Sequence, residues 1–190
     1  VLLARNALQT WSDVPALERS NYLRQIGDAI ASHAEELAEL ETRDNGWVIR
    51  ETLYGLIPSL TSIWYDAAGA TSIGSRGETA QLGANTVGYT LREPLGVVVG
   101  IIPWNAPLFT FSIKAAYALA AGNTVIIKPS ELAAVSSMRL GEIIQEILPP
   151  GVLNVISGYG SEIGEALVSH KGVNKVSLTG SVNTARAIAG

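Results

Sequence analysis

The 190 residues contain no cysteine. Disulfide frameworks, thiolate-held structural zinc and a cysteine nucleophile are therefore excluded for this chain. Only two histidines occur, His33 and His170, and their wide separation argues against a histidine-rich metal site; no metal is expected. Lysine and arginine form no cluster, and 13 basic against 17 acidic side chains leave a formal charge of −4. Phosphate backbones need a basic face, so nucleic acid is not an expected partner. A targeting signal is also missing: the chain enters a helix-like stretch at Val1–Leu8 with no charged segment or small-residue cleavage site before it. The one long uncharged run, Leu95 to Ile113, carries Pro103, Asn105 and Pro107 at its centre. Two prolines and an amide break a lipid-facing helix, and Val97–Ile102 reads as a buried parallel strand. The expectation is a cytoplasmic protein without a membrane partner.

What is present is apolar substance. Hydrophobic residues make up 47% of the chain and charged residues 16%, too few charges for disorder. A chain of this length buries about 70% of the surface its unfolded form exposes, so its core needs no covalent staple. The first third reads as helical. Leu23, Ile26, Ile30, Ala34, Leu37 and Leu40 recur every three or four residues, and Asp44-Asn45-Gly46 ends that stripe. A second stripe runs through Ile49, Leu53, Leu56, Leu60, Trp64 and Ala67, with Pro58 expected to kink it or to open a new helix. From Gly74 to Arg92 glycines and small polar residues dominate, and Thr86–Leu91 alternates as an exposed strand does, predicting a protruding hairpin.

After Pro94 short β-rich runs alternate with helical stretches. The runs are Gly96–Ile102, Thr124–Lys128, Val152–Ile156 and Lys175–Leu178; the helices lie near Pro107–Ala121, Ala134–Leu148 and Ser161–Ser169, with a last one opening near Asn183. This is the pattern of an α/β fold with a doubly wound, Rossmann-like parallel sheet, here preceded by a helical region and a hairpin. Ligands in such sheets sit beyond the carboxyl ends of the strands. Attention therefore falls on Pro103-Trp104-Asn105, Lys128-Pro129-Ser130-Glu131, Ser157-Gly158-Tyr159-Gly160 and Thr179-Gly180-Ser181.

Each of these strand ends admits two readings. The glycines at 158, 160 and 164 suit a backbone that approaches a phosphate, or a tight turn followed by a helix-packing glycine. Thr179-Gly180-Ser181 precedes a helix whose free N–H groups could hold a pyrophosphate, or in which Ser181 is a plain N-cap. Lys128 and Glu131, one turn apart, could clasp ribose hydroxyls or form a surface ion pair. Asn105, fixed between prolines, could donate to a developing oxyanion or cap the next helix.

Taken together, Glu93 to Leu108 (EPLGVVVGIIPWNAPL) and Ala118 to Glu131 (ALAAGNTVIIKPSE) closely resemble the aldehyde dehydrogenase superfamily. Leu148–Val155, Val173–Val176, Thr179-Gly180-Ser181 and the upstream Glu41-Thr42-Arg43-Asp44-Asn45-Gly46 add to the resemblance in order and spacing. It implies that Asn105 stabilises an oxyanion and that Lys128 and Glu131, with Ser130 beside them, hold the adenosine ribose. It also implies that Ile101, Ile102, Pro103 and Trp104 line the cofactor, that Gly160 touches the adenine side, and that Thr179, Gly180 and Ser181 form the pyrophosphate turn. Leu178 stands where the family usually has phenylalanine, and Ala185 where a glycine often closes the turn's pattern.

The cofactor so implied is NAD, with NADP possible; the substrate of the intact parent is an aldehyde, and the assembly a homo-oligomer joined through the hairpin. The resemblance divides the chain into a helical part (1–76), a hairpin (77–92) and a coenzyme-binding core (93–190). Family enzymes also use a cysteine nucleophile and a glutamate general base, in segments this chain does not match. The resemblance thus implies the coenzyme-binding portion of a longer enzyme. A free-standing nucleotide-binding module and a non-catalytic assembly subunit are the alternatives.

Overall fold

The computed structural model describes residues 1–74 and 76–189. The helical start is α1 (Leu2–Trp11). The stripe from Leu23 to Leu40 is divided between α2 (Ala16–Ser32) and α3 (Ala34–Asn45). Its break lies at His33, whose φ of −102° and ψ of 22° leave the helical region. Leu23, Ile26, Ile30 and Leu37 are nonetheless all buried, so the apolar period runs across the break and conceals it. Helix α3 ends at Gly46 with φ 85°, a left-handed turn that only glycine takes without penalty.

The second stripe forms α4 (Ile49–Glu51), a π-helical turn (Thr52–Leu56) and α5 (Ile57–Gly74). Proline has no N–H and its ring presses on the carbonyl four residues back. The widened turn just before Pro58 relieves that pressure, with the Ile57 N–H bonded to the Thr52 carbonyl five residues back. The hairpin pairs β1 (Thr79–Gly83) antiparallel with β2 (Thr86–Tyr89). Only Gly88 in this ribbon is even half-buried.

The main sheet is parallel and contains β3 (Val97–Ile101), β4 (Thr124–Lys128), β5 (Leu153–Val155) and β6 (Lys175–Leu178), in the order β5-β4-β3-β6. Between the strands run α6 (Pro107–Ala120), α7 (Val135–Gln145) and, after a π-helical turn at Gly160–Gly164, α8 (Glu165–Val168); α9 (Val182–Ala189) follows β6. Successive strand residues point to opposite faces. Val125 and Ile127 accordingly join Trp64, Phe111, Leu119 and Ile144 in the larger core, while Ile126, Val97 and Val99 pack with Ala4 of α1 and Leu167 of α8. Both faces are covered, so the sheet is doubly wound. Residues 95–113 are thus strand, turn and part of α6, and no helix among the described residues is long and apolar enough to cross a membrane.

Two motif asparagines act at the amino ends of the strands. The Gly96 N–H donates to Asn123 Oδ1 and the Val97 N–H to Asn174 Oδ1, each at 3.0 Å. They fasten the start of β3 to its neighbours on both sides. At the other end Ile101 lies opposite Lys128 of β4 and Leu178 of β6. The three strands therefore end level, and the segments that follow them gather on one side.

Candidate ligand site at the strand ends

From β3 the chain winds through α6 to β4 and through α7 to β5, then returns to β6 on the other side of β3. The direction of winding reverses between β3 and β6, and the segments leaving those strands diverge there. A cavity of about 1080 Å³ opens at this point, at the upper end of the range for small-molecule sites. Ile101, Ile102, Pro103, Trp104 and Asn105 line it from β3, Lys128, Ser130 and Glu131 from β4, and Gly160, Thr179, Gly180 and Ser181 from the far side. These twelve residues border one space, whereas Pro129, Ser157, Gly158 and Tyr159 of the same strand-end segments do not line it. Neither histidine does.

Lys128 is 4% exposed while Glu131 is exposed, so their pair joins a buried ammonium to a carboxylate open to the cavity. Lys128 Nζ donates to the Pro129 carbonyl at 3.1 Å and to Glu131 Oε2 at 3.3 Å. An ammonium has three N–H bonds, which leaves one for a ligand. The carboxyl of Glu131 is held below the usual range, first by its own backbone N–H and then by Lys128. It is ionised at neutral pH and accepts only. Ser130 turns the loop between them, its Oγ accepting the Leu132 N–H at 3.3 Å.

On the far wall, Ser181 is an N-cap: its Oγ accepts the Thr184 N–H at 3.1 Å. The cap satisfies the third N–H of α9, and the first two have no intrahelical acceptor. The cap therefore leaves the first two N–H groups of the helix open. A Cβ built at Gly160 or Gly164 would meet nothing within 4 Å. Gly164 is thus not a helix-packing glycine. Both glycines line the cavity, where bare backbone forms a cradle.

Asn105 does not cap α6. The cap position is Ala106, without a side-chain bond, because the Pro103–Ala106 turn carries Asn105 one residue too early. Its amide is exposed at the cavity, and its backbone carbonyl accepts the indole N–H of Trp47 at 2.8 Å. Of the two departures from the family pattern, Leu178 lines the cavity and Ala185 does not.

The sequence reading missed the helical part of the far wall. Glu165 and Val168 follow Gly160 and Gly164, and Thr184, Ala187 and Ile188 follow Ser181. Both sets recur at three- and four-residue spacing, which puts them on the helix face below each turn. That periodicity was the available signal.

The aldehyde dehydrogenase family profile matches residues 1–190. An aldehyde dehydrogenase of Vibrio cholerae is 47% identical over 179 residues, covering 94% of this chain and 35% of that protein. The mitochondrial aldehyde dehydrogenase family 2 member B4 of Arabidopsis thaliana is 42% identical over 182 residues, covering 95% and 34%. Among solved structures, PnpE in complex with nicotinamide adenine dinucleotide superposes with a TM-score of 0.95 at 39% identity, covering 99% of this chain and 39% of that one. A point mutant of betaine aldehyde dehydrogenase from Staphylococcus aureus in complex with NAD+ gives 0.93 at 37% identity, covering 99% and 38%. The chain therefore spans little more than a third of the length of these relatives. With the profile matching it from end to end, the chain belongs to the aldehyde dehydrogenase family.

Proposed function

We propose that this chain is the coenzyme-binding part of an NAD-linked aldehyde dehydrogenase, and that the cavity between β3 and β6 holds the dinucleotide. The observation that carries this reading is the cavity of about 1080 Å³ bordered by a buried lysine, an ionised glutamate, two unpacked glycines and a helix N-terminus. This donor set suits a dinucleotide. Lys128 donates to the hydroxyls of the adenosine ribose and Glu131 accepts from them; Gly160 lets the adenine side approach the backbone. Gly180 and Ser181 present the pyrophosphate to the start of α9, where the helix dipole favours negative charge. Pro103, Trp104 and Asn105 then face the nicotinamide end. The bound dinucleotide would supply the hydride acceptor. The Asn105 amide donates to the oxyanion that forms when a nucleophile adds to an aldehyde carbonyl, a role in which a fixed dipole has no reorganisation to undergo.

Glu131 makes the reading testable by cofactor choice. A carboxylate accepting from the 2′-hydroxyl would face the 2′-phosphate of NADP, a contact between like charges. Titration calorimetry is expected to give NAD at least ~10-fold tighter binding than NADP, and Glu131→Gln to narrow the gap. Equal or tighter NADP binding would remove Glu131 from this role, and no binding of either would remove the cavity reading.

The hairpin is proposed as an association element. Leu82, Val87, Tyr89 and Leu91 are 64–75% exposed on it, and its strand edges are open to further pairing. The purified chain is expected to self-associate. A stable species of 20.0 kDa by light scattering at high concentration would count against this.

A further inference from the structure

The end of α3 and the segment that joins it to α4 carry no residue of the cavity wall, yet their side chains reach the turn that bears Asn105 and the starts of α6 and α7. Trp47 donates its indole N–H to the Asn105 carbonyl at 2.8 Å across a sequence separation of 58 residues. Glu41, fully buried in α3, faces the Leu108 N–H in the first turn of α6. It also accepts the Ser136 hydroxyl at 2.6 Å, at the start of α7. Asp44 Oδ2 accepts the Val135 N–H, the first of α7, at 2.7 Å. Between these groups Gly46 turns left-handed, and Asn45 Oδ1 accepts the Trp47 N–H at 3.0 Å, which sets the direction in which the indole leaves the backbone.

The geometry around Asn105 is therefore held from both sides. One hand is on its own carbonyl, the other on the N–H three residues later. The intervening turn, Asn105-Ala106-Pro107, has little internal support: its Ala106 cap position has no side-chain bond and Pro107 has no N–H to give. An exposed amide on an otherwise unsupported turn would sample many positions. A group that must meet a developing charge within a fraction of an ångström needs support from a second layer of contacts.

We infer that Glu41, Asp44 and Trp47 form a positioning element that clamps the turn bearing Asn105 and, through α7, the loop bearing Lys128 and Glu131. Trp47 is its specific member: the indole is 37% exposed, so it adds little to the core, and its single directed bond goes to the residue that faces the reacting carbon. This assignment rests on the reading of Asn105 given above. None of the three residues is a catalytic residue, since none touches the cavity.

Hydrogen–deuterium exchange of the chain, read by mass spectrometry of peptides across 103–111, tests the clamp without any ligand. Trp47→Phe keeps an aromatic ring and removes the donor. It is expected to speed exchange in 104–110 by ~3–10-fold, the change that the loss of one net hydrogen bond produces, while peptides from β3 and β4 stay as they were. Trp47→His returns a ring N–H to the equivalent place in the five-membered ring and is expected to restore most of the protection. Glu41→Ala leaves two donors unsatisfied and is expected to loosen the starts of both α6 and α7; Glu41→Gln, which retains an acceptor, loosens them less. Unchanged exchange in 104–110 on Trp47→Phe would overturn the inference, as would acceleration spread evenly over the sheet or failure of Trp47→His to restore protection. NAD titration of the same variants keeps the two readings apart: a chain that binds no NAD contradicts the cavity assignment, whereas the exchange pattern alone decides the clamp.

Discussion

No NADH is expected to form when the purified 190-residue chain is mixed with NAD and a panel of aldehydes. Hydride can leave the aldehyde carbon only after a nucleophile has added to it, and the chain contains no cysteine to supply a thiolate. Serine and threonine hydroxyls border the cavity, at Ser130, Ser161, Ser181, Thr179 and Thr184, but neither His33 nor His170 does. A hydroxyl without an adjacent base is too weak a nucleophile to replace the thiolate. In the role proposed for it, Asn105 would stabilise an oxyanion without being able to create one. In the complete enzyme proposed above, Asn105→Ala is expected to lower the rate by ~10²–10³. Absorbance of NADH measures both. Aldehyde oxidation that stays with the isolated chain through repeated purification would show that the roles assigned to these residues are wrong.

Raising the pH from 5 to 8 is expected to remove on the order of 3 kcal/mol of folding stability through one side chain, Glu41. Its carboxyl is fully buried. Burial pushes its pKa up from the ordinary 4.5 to about 7, against hydrogen bonds from Ser136, the Leu108 N–H and Asn45 that lower it, and with Asp44 nearby raising it further. Among the described residues no cation contributes to its shift, and its Oε1 completes no hydrogen bond of ordinary geometry. Between the unfolded and folded pKa values the folded chain keeps this proton and the unfolded chain has released it. The stabilising contribution is therefore whole below pH 4.5, declines as the pH rises towards 7, and is gone above it. Glu36 and Glu131 have lowered pKa values, so their contributions change at more acid pH and with the opposite sign. Denaturant unfolding at pH 5 and pH 8 is expected to show the loss in the natural chain and its near absence in Glu41→Gln. Equal slopes with pH in the two proteins would contradict the burial of an ionisable Glu41.

The parallel sheet was legible because short β-rich runs alternate with helical stretches after Pro94; Thr124–Lys128 and Lys175–Leu178 have the limits read from the sequence. The break at His33 was not, since an apolar period says which face is buried and nothing about a change of axis. Pro58 signalled a disturbance without revealing that a π-helical turn would absorb it. At the site, strand-end logic selected residues that share one cavity, but it left Lys128 open between ribose and surface, because burial depends on segments distant in sequence. The Asn105 cap reading failed for a local reason, one residue of turn geometry. Trp47 and Glu41 belong to partnerships that reach across 58 and 95 residues. No pattern within a window of the sequence encodes them.

The central claim is that the cavity between β3 and β6 is the dinucleotide site, in one particular orientation. A crystal of this chain grown or soaked with NAD measures it directly. The account predicts the adenosine ribose between Lys128 and Glu131, the pyrophosphate at Gly180 and Ser181, and the nicotinamide end towards Pro103–Asn105. NAD bound elsewhere, or bound here with its nicotinamide ribose at Glu131, would contradict it.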